Sequence, residues 1–235
     1  MKNLLKMPAK NSASTVRVVA RGTSRAEIYV YGVIGGDWFG DGATASQFAK
    51  DLRALGDVKQ IDLHIDSEGG SVQDAQAMYT LLVKHEAEIT VHIDGWACSA
   101  ATFLAMAGKK IYIGEGSMFM IHNARMMAWG EAEDMDRAAA LLRTTNQTIL
   151  QKYVDRTGLE EKKVKDWMDA ETWWTGKEAV AAGFADELVS NQKIAAIANV
   201  KARDGKRDTS RFNNVPADCR PRRAAAIAAL AQFRK

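Results

Sequence analysis

Hydrophobic positions follow two different periods in turn along the chain from Ala26 to Val189. The stretch 60-QIDLHID-66 alternates apolar with polar residues, which is the period of a β-strand. The stretch 43-ATASQFAKDLRALG-56 instead places apolar residues at helical spacing and ends in a glycine, a common helix stop. Because strands and helices alternate in this way, the pattern predicts parallel strand pairing and an α/β fold.

The same two periods predict the remaining elements. Strands are predicted at AEIYVYGV, ITVHID, KKIYIG and SMFMIH. Helices are predicted near 72–86, after Ser99, from about Glu131 to Arg156, and near 160–168 before the stretch WWTGKEAVAAGFADELV. Beyond Ser190 the sequence becomes polar and irregular, apart from an alanine-rich stretch near 223–233 that predicts a helix.

Charge divides the 235-residue chain into three parts. Residues 1–25 carry six Lys and Arg and no acid, and residues 191–235 carry eleven Lys and Arg against three Asp, which leaves −11 for residues 26–190. We therefore expect a flexible basic arm, one α/β domain, and a basic tail that is flexible or partly helical. Such arms suit an acidic partner, but they lack the aromatic-rich motifs of nucleic-acid binding, so nucleic acid is not expected.

The sequence predicts neither a membrane span nor a secretory signal. No apolar run approaches the roughly 18 residues that cross a bilayer, and the basic start MKNLLKMPAKNSAS lacks a long apolar core. The two cysteines, Cys98 and Cys219, give no disulfide framework. These features favour a cytoplasmic location, where thiols stay reduced.

Ser99 is a hydroxyl in an otherwise apolar frame. It lies in 95-GWACSAATFLAMAG-108, between a predicted strand and an alanine-rich helix. A serine at a helix start is commonly an N-cap. The alternative is a nucleophile at the helix N-terminus, where backbone amides favour a developing oxyanion. Gly95 lies four residues before Ser99, which differs from the G-x-S-x-G motif and argues against an α/β-hydrolase.

Two further polar groups end strands of the same predicted sheet. His122 closes 118-MFMIH-122, and 66-DSEGGS-71 follows another strand. Sites in α/β folds gather at the carboxyl ends of strands, and paired glycines let backbone amides approach a substrate carbonyl. Taken singly, the histidine is typical of a structural residue and the glycine pair of a simple turn.

Taken together and in order, four blocks resemble the Clp-type serine proteases, and in particular the phage-encoded branch that processes the procapsid. The blocks are IDSEGGSVQDAQAMY, DGWACSAATFLAMAG, SMFMIH and ETWWTGKEAVAAGFADELV. The resemblance runs from about Ala26 to Val189. It implies a crotonase-like fold of the ClpP type, with parallel βαβ units and a long helical handle, and a homo-oligomeric ring.

The resemblance also implies the site residues. Ser99 matches the family nucleophile, His122 the general base, and the backbone amides of Gly70 and Ala100 the oxyanion hole. A serine hydroxyl is a weak nucleophile until an imidazole takes its proton and a carboxylate holds that imidazole in the required tautomer. No cofactor is implied.

The acid has two candidates. Aligning WWTGKEAVAAGFAD with the last block of the family places Glu171 at the acid position. Asp169 lies two residues earlier and would share a strand face with Glu171 if the segment is extended. The expected triad is therefore Ser99, His122 and Glu171, with Asp169 as the alternative acid.

Two departures from the family pattern lie beside these groups. Where the family usually has Asn-Ser-Pro-Gly-Gly, this chain has Asp66-Ser67-Glu68-Gly69-Gly70, so a proline is lost and a negative charge is gained. Cys98 directly precedes Ser99 and could be a thiol nucleophile, although free cysteine is more typical of a small buried residue.

Histidines and aspartates also occur together on two neighbouring predicted strands. They could share one polar face of the sheet: His64, His92, Asp62, Asp66 and Asp94. Their spacing is not that of a recognised metal site, so no metal is expected.

These features favour a serine endopeptidase of a tailed phage or prophage that cleaves scaffold or capsid-protein segments during head maturation, in the host cytoplasm or the procapsid. The alternative is a cellular Clp proteolytic subunit that works with an ATPase. A crotonase-like enzyme acting on acyl-CoA shares the fold but does not need Ser99 with His122, and an idle assembly component would lack activity. The tail beyond Val189, expected to lie outside the catalytic unit, either tethers substrate or has no role.

Overall fold

The computed structural model describes residues 16–21, 24–36, 42–190 and 212–216. Within these residues eight strands form one mixed sheet: β1 (Val16–Arg21), β2 (Arg25–Ile34), β3 (Gln60–Gly70), β4 (Glu88–Cys98), β5 (Lys110–Gly114), β6 (Met118–Ile121), β7 (Thr172–Thr175) and β8 (Glu187–Val189). Six helices accompany it: α1 (Ala45–Ala54), α2 (Val72–Val83), α3 (Ala100–Ala105), α4 (Ala132–Thr157), α5 (Glu161–Asp169) and α6 (Gly176–Ala181). Their alternation with the strands confirms the predicted α/β fold. The helix predicted near 223–233 lies outside the described residues.

Most neighbouring strands in the sheet run parallel. The order is β1-β2-β3-β4-β5-β8, with β6 paired to the end of β4 and β7 paired to β6. Only the β1–β2 and β6–β7 pairs of the described strands are antiparallel. Because β3, β4 and β6 are parallel, their carboxyl ends lie side by side, with Ser67 beside Ala97 and Cys98 beside Met120. The three blocks of polar residues singled out in the sequence therefore lie together at this end of the sheet.

The face of the central strands that the helices cover is apolar. Ile61, Leu63 and Ile65 of β3 are fully buried, as the alternation in the sequence predicts. Burial of one such side chain contributes about 1.5–3 kcal/mol to the hydrophobic free energy. All six residues of α3 are also buried, and most of them are small, which lets this helix lie close to the sheet.

The sheet begins within residues 1–25, the segment expected as a flexible arm. β1 pairs with β2 from Val16 opposite Val30 to Arg21 opposite Arg25. Val16 is buried while Arg17 is exposed, so the start of the strand alternates as an edge strand should. The prediction of a flexible arm rests on the basic charge of residues 1–25 and does not consider this short alternation of apolar and polar residues.

One face of the sheet carries a ladder of stacked rings. Tyr29, His64, His92 and Tyr112 lie on four neighbouring strands, with successive ring centroids 4.6, 4.7 and 5.3 Å apart. Asp62 lies beneath this ladder and accepts hydrogen bonds from the Arg25 guanidinium and from Nε2 of His92. Burial alone would raise the pKa of Asp62, but these bonds outweigh it and lower the pKa to about 2.

Replacing Asp62 with asparagine should destabilise the protein by about 1–2 kcal/mol at pH 7, because the carboxylate binds protons less readily folded than unfolded. Because the pKa of Asp62 is lower in the folded state, its carboxylate stabilises the folded protein fully above the unfolded pKa near 3.8. This stabilisation is lost as the pH falls towards the folded pKa of about 2. Denaturant titrations of both proteins at pH 7, 5 and 3 measure this. The difference between them should shrink at pH 3, and the exposed Asp57→Asn is the control. A difference that stays constant with pH would contradict the assignment.

The longest helix is α4, the handle that the resemblance implies. Its first turn is closed by a capping box between Glu131 and Asp134, and it ends at Gly158 in the left-handed conformation. Only its second half is anchored, through Ile149, Leu150 and Tyr153. Among the described helices, including this one, none is both long and apolar enough to cross a membrane.

Candidate active site

Ser99 occupies the turn between β4 and α3 in a strained conformation. Its φ of 56° lies in the left-handed region, where a non-glycine residue is uncommon. Its side chain makes no capping hydrogen bond to α3, so the N-cap role does not apply. The hydroxyl instead lies 2.8 Å from Nε2 of His122. A serine hydroxyl within hydrogen-bond reach of an imidazole is the arrangement expected of an activated nucleophile, and backbone strain is common at functional sites.

Backbone hydrogen bonds hold the Ser99 turn in place. Its N–H donates to the carbonyl of Met120 at 2.9 Å. Its carbonyl accepts from both the N–H and the hydroxyl of Thr102, at 3.0 and 2.5 Å. The Thr102 hydroxyl is also 2.6 Å from that of buried Tyr153. The strain at Ser99 is therefore maintained by β6, α3 and α4 together.

His122 follows β6 and is nearly buried, with 9% of its side chain exposed. A neutral imidazole that accepts a hydrogen bond from the Ser99 hydroxyl at Nε2 carries its own proton on Nδ1. That nitrogen lies 3.5 Å from Oε2 of Glu171. This distance is longer than an ordinary hydrogen bond, but such bonds are often long before substrate binds.

Glu171 lies between α5 and β7, and its φ of 51° is also in the left-handed region. Ser99 and Glu171 are the only non-glycine residues with positive φ in the part of the chain that the structure describes. Burial alone would raise the pKa of Glu171. The backbone N–H of Asn214 and the guanidinium of Arg125 lie 2.6 and 2.5 Å from its oxygens. Their hydrogen bonds and the positive charge of Arg125 outweigh burial and lower that pKa. The carboxylate is thus kept charged beside His122.

Asp169 occupies a different place from Glu171. It is the last residue of α5 rather than part of an extended segment, so the two side chains do not share a strand face. Its exposed carboxylate accepts from Lys165 at 2.6 Å and from the side-chain amide of Asn123 at 2.8 Å. Of the two candidate acids, Glu171 is the one that faces His122.

The glycine pair lies directly against the Ser99 turn. Gly69 has a φ of 87°, and a Cβ placed on it would lie 2.9 Å from both the amide nitrogen of Ala100 and Cβ of Ser99. A Cβ on Gly70 would lie 2.0 Å from the carbonyl oxygen of Ile34. Side chains are therefore excluded at both positions. The structure brings Gly70 and Ala100 to the same end of the sheet as Ser99.

Cys98 is completely buried on the other side of β4 from the core helices. It packs with Trp96, Met120, Phe212 and Val215. A thiol in this apolar cluster cannot reach a substrate, so the geometry favours a packing role over a nucleophilic one.

A small apolar pocket opens beside Ser99. Its walls come from α2, α3, α4 and the segment after His122, through Val72, Ala100, Phe103, Ala124, Ile149 and Tyr153. In this structure its accessible volume is about 10 Å³, which is roughly the room for one water-sized group next to the hydroxyl and the imidazole.

Three residues near the site were not predicted from the sequence. Arg125 binds Oε2 of Glu171, Asn214 binds Oε1, and the ring of Phe212 lies 5.7 Å from that of His122. Arg125 could have been suspected from its place three residues after His122. Asn214 lies 43 residues from Glu171, and no local signal links them. Residues 212–216 belong to the segment expected as a tail, and in the structure they contact His122 and Glu171.

The histidines and aspartates on neighbouring strands pair with one another. His64 Nδ1 is 2.8 Å from Asp94, and His92 Nε2 is 3.1 Å from Asp62. No group of three or more candidate metal ligands occurs within the described ranges.

Comparisons with known proteins agree on one family. A family model described as Clp protease matches residues 33–192. The ATP-dependent Clp protease proteolytic subunit 2 of Mycolicibacterium paratuberculosis is 27% identical over 158 residues, which cover 64% of this chain and 76% of that protein. The ATP-dependent Clp protease proteolytic subunit of Streptococcus gordonii is 27% identical over 153 residues, which cover 61% of this chain and 76% of that protein.

A solved structure gives the same result at the level of the fold. A mutant of ClpP1 from Listeria monocytogenes matches with a TM-score of 0.61 at 20% sequence identity. The match covers 73% of this chain and 94% of that chain. It confirms the predicted crotonase-like fold of the ClpP type.

Proposed function

Because the chain belongs to the Clp protease family of serine peptidases, we propose that it is an active endopeptidase in which Ser99, His122 and Glu171 form the catalytic triad. The observation that carries this proposal is the 2.8 Å contact between Oγ of Ser99 and Nε2 of His122. It joins the residue with the strained backbone to an imidazole that can accept its proton.

In the first step Oγ of Ser99 attacks the carbonyl carbon of the scissile peptide bond, while Nε2 of His122 takes the hydroxyl proton. Glu171 holds Nδ1 and stabilises the imidazolium that forms. The negative charge that develops on the carbonyl oxygen is received by the backbone amides of Gly70 and Ala100. The close approach of the Gly69–Gly70 turn to the Ser99 turn supports this assignment.

In the second step the tetrahedral intermediate collapses and the amine leaves with the proton from His122. The acyl group stays on Ser99 as an ester. Water then attacks the ester while His122 takes its proton, and His122 returns that proton to Oγ of Ser99 as the bond between Oγ and the acyl carbon breaks and the acid product leaves.

Peptides with a small apolar residue before the cleaved bond should be cleaved at least about 10-fold faster than peptides with Asp there, since the pocket beside Ser99 would leave a carboxylate without partners. Matched fluorogenic peptides that differ only at that residue measure the ratio of kcat/KM. Leu, Ala and Asp peptides of equal charge elsewhere serve as the set. Faster cleavage of the Asp peptide would contradict the proposed position of the scissile bond.

A homo-oligomeric ring is part of the proposal. Large apolar side chains lie uncovered on the segment after His122 and on α4: Met127 is 94% exposed, Trp129 93% and Leu141 55%. Exposed apolar surface of this kind is typical of a contact with another chain. Native mass spectrometry tests it, since a ring requires a species of at least three times the 25.8 kDa chain mass, and a species of one or two chains would contradict it.

For the biological role, we propose a phage or prophage head-maturation protease that cleaves scaffold or capsid-protein segments. The ETWWTGKEAV form of the last block and the net +8 of residues 191–235 support this branch, since a basic tail can raise the local concentration of an acidic substrate. Co-expression with the neighbouring genes, followed by mapping of new protein termini, tests it. Termini that appear with wild type but not with Ser99→Ala are expected. Their absence would contradict this role.

A cellular Clp proteolytic subunit is the second candidate, favoured by the relatives whose names read ATP-dependent Clp protease proteolytic subunit. It requires an ATPase partner that unfolds the substrate. The two roles differ in one measurement: degradation of a folded protein should depend on an added ATPase only in the cellular role. An acyl-CoA enzyme or an idle assembly component is set apart from both by the absence of peptide cleavage.

A further inference from the structure

Five residues near the C-terminus, 212–216, lie against the candidate triad. The ring of Phe212 meets those of His122 and Trp173 edge-on, with centroids 5.7 and 5.5 Å apart. Phe212 and Val215 are 7% and 4% exposed, because both enter the apolar cluster beside Cys98. The segment is therefore anchored by packing and not merely adjacent to the site.

Asn214 makes two hydrogen bonds to the chain around Glu171. Its backbone N–H donates to Oε1 of Glu171 at 2.6 Å, and its side-chain amide donates to the carbonyl of Ala170 at 2.6 Å. The second bond is a further contact between the segment and the backbone just before Glu171. As a result the segment binds both the carboxylate of Glu171 and the backbone that carries it.

The bond to Oε1 leaves the other oxygen of Glu171 for His122. Oε2 lies 3.5 Å from Nδ1 of His122 and 2.5 Å from the Arg125 guanidinium. A glutamate has one more rotatable bond than an aspartate, so its carboxylate needs an additional contact to stay in one orientation. The N–H of Asn214 supplies that contact on the side away from His122.

The segment does not line the small pocket beside Ser99. The pocket beside Ser99 is walled by α2, α3 and α4, whereas Phe212 packs with Trp96 and Met120. Its contacts with the triad are to the ring of His122 and to Glu171. This placement suits support of the catalytic groups rather than competition with a peptide.

We propose that residues 212–216 are part of the active site and that Asn214 is a positioning residue, whose N–H orients the carboxylate of Glu171 towards His122. The inference rests on the proposed triad. Phe212 supports the same arrangement by holding the segment and covering the His122 ring. A part of the chain outside the recognisable protease blocks thereby sets the rate of cleavage.

Two substitutions separate the backbone bond from the side-chain bond. Asn214→Pro removes the N–H that Glu171 accepts, whereas Asn214→Ala keeps it and removes the bond to Ala170. We expect Asn214→Pro to lower kcat by about 10- to 100-fold with KM changed less than about 2-fold, the size of loss that a small displacement of a catalytic group causes. Asn214→Ala should lose less than about 3-fold. Rates are taken per active site, counted by covalent labelling of Ser99.

The decisive control is Asn214→Pro in a protein that lacks the Glu171 carboxylate. If Asn214 acts through Glu171, Asn214→Pro should reduce kcat by less than about 2-fold in the Glu171→Ala background. An equal reduction in both backgrounds would overturn the inference. If Asn214→Pro does not fold, Phe212→Ala is taken through the same cycle and must show the same dependence on Glu171. Failure of the triad itself is recognised separately, because Ser99→Ala would then keep full activity.

Discussion

Ser99→Ala should abolish peptide cleavage while leaving the fold and the assembly unchanged. The substitution removes only the oxygen that lies 2.8 Å from Nε2 of His122. Alanine also keeps the backbone amide bonds of the turn, so only the chemistry is affected. A loss of kcat of about 10³-fold or more is expected for the nucleophile of a triad. Cleavage of a fluorogenic peptide, with circular dichroism and native mass spectrometry on the same samples, measures both parts.

Cys98→Ala is the matched control for this result. It removes a neighbouring nucleophilic atom, but one buried in an apolar cluster, so most of the activity should remain. If Cys98→Ala were inactive and Ser99→Ala active, the thiol would be the nucleophile and the triad assigned here would be wrong.

Glu171→Gln should cause the second largest loss, of about 10²-fold or more in kcat. The glutamine keeps the size of the side chain but lacks the charge that stabilises the imidazolium, and its NH₂ group disfavours the tautomer with the proton on Nδ1. Asp169→Asn is the matched comparison two residues away. Its carboxylate binds Lys165 and Asn123 rather than His122, so kcat should change less than about 3-fold.

The comparison between the two acids is made at equal stability. Melting temperatures and active-site counts of both variants show whether a lower rate reflects fewer folded molecules. A larger loss in Asp169→Asn than in Glu171→Gln would place the acid two residues earlier. If neither substitution lowers kcat, Ser99 and His122 work as a dyad.

Much of the fold could be predicted because it depends on local patterns. The alternation in 60-QIDLHID-66 corresponds to β3, and the helical spacing in 43–56 to α1 (Ala45–Ala54). The strands β3 and β4 run further than their apolar cores and include the glycine pair and Cys98. There the parallel neighbours, rather than the local pattern, decide where the strand ends.

The site could be predicted in part. The resemblance implied Ser99, His122 and Glu171, and the structure brings these three side chains together. The choice between Glu171 and Asp169 depended on whether the segment was extended, and α5 continues to Asp169 instead. The strain at Ser99 also had no signal in the sequence, since a serine before a helix is far more often an N-cap.

What could not be predicted comes from contacts between distant parts of the chain. β1 pairs with β2 although its charge is typical of an arm. Asn214 reaches Glu171 across 43 residues, from a region whose polarity and charge are typical of a solvated tail. The composition of residues 191–235 describes the tail as a whole. It therefore does not reveal that the five residues 212–216 pack on the site.

Covalent labelling tests the central claim most directly. A fluorophosphonate reacts with a serine hydroxyl only when a neighbouring base has made it nucleophilic. The wild-type chain is treated with the reagent, digested, and the modified residue is identified by mass spectrometry, with His122→Ala treated in parallel. We predict one modified residue, Ser99, with labelling lost in His122→Ala. An unmodified Ser99, or labelling that is equally fast without His122, would contradict the catalytic assignment.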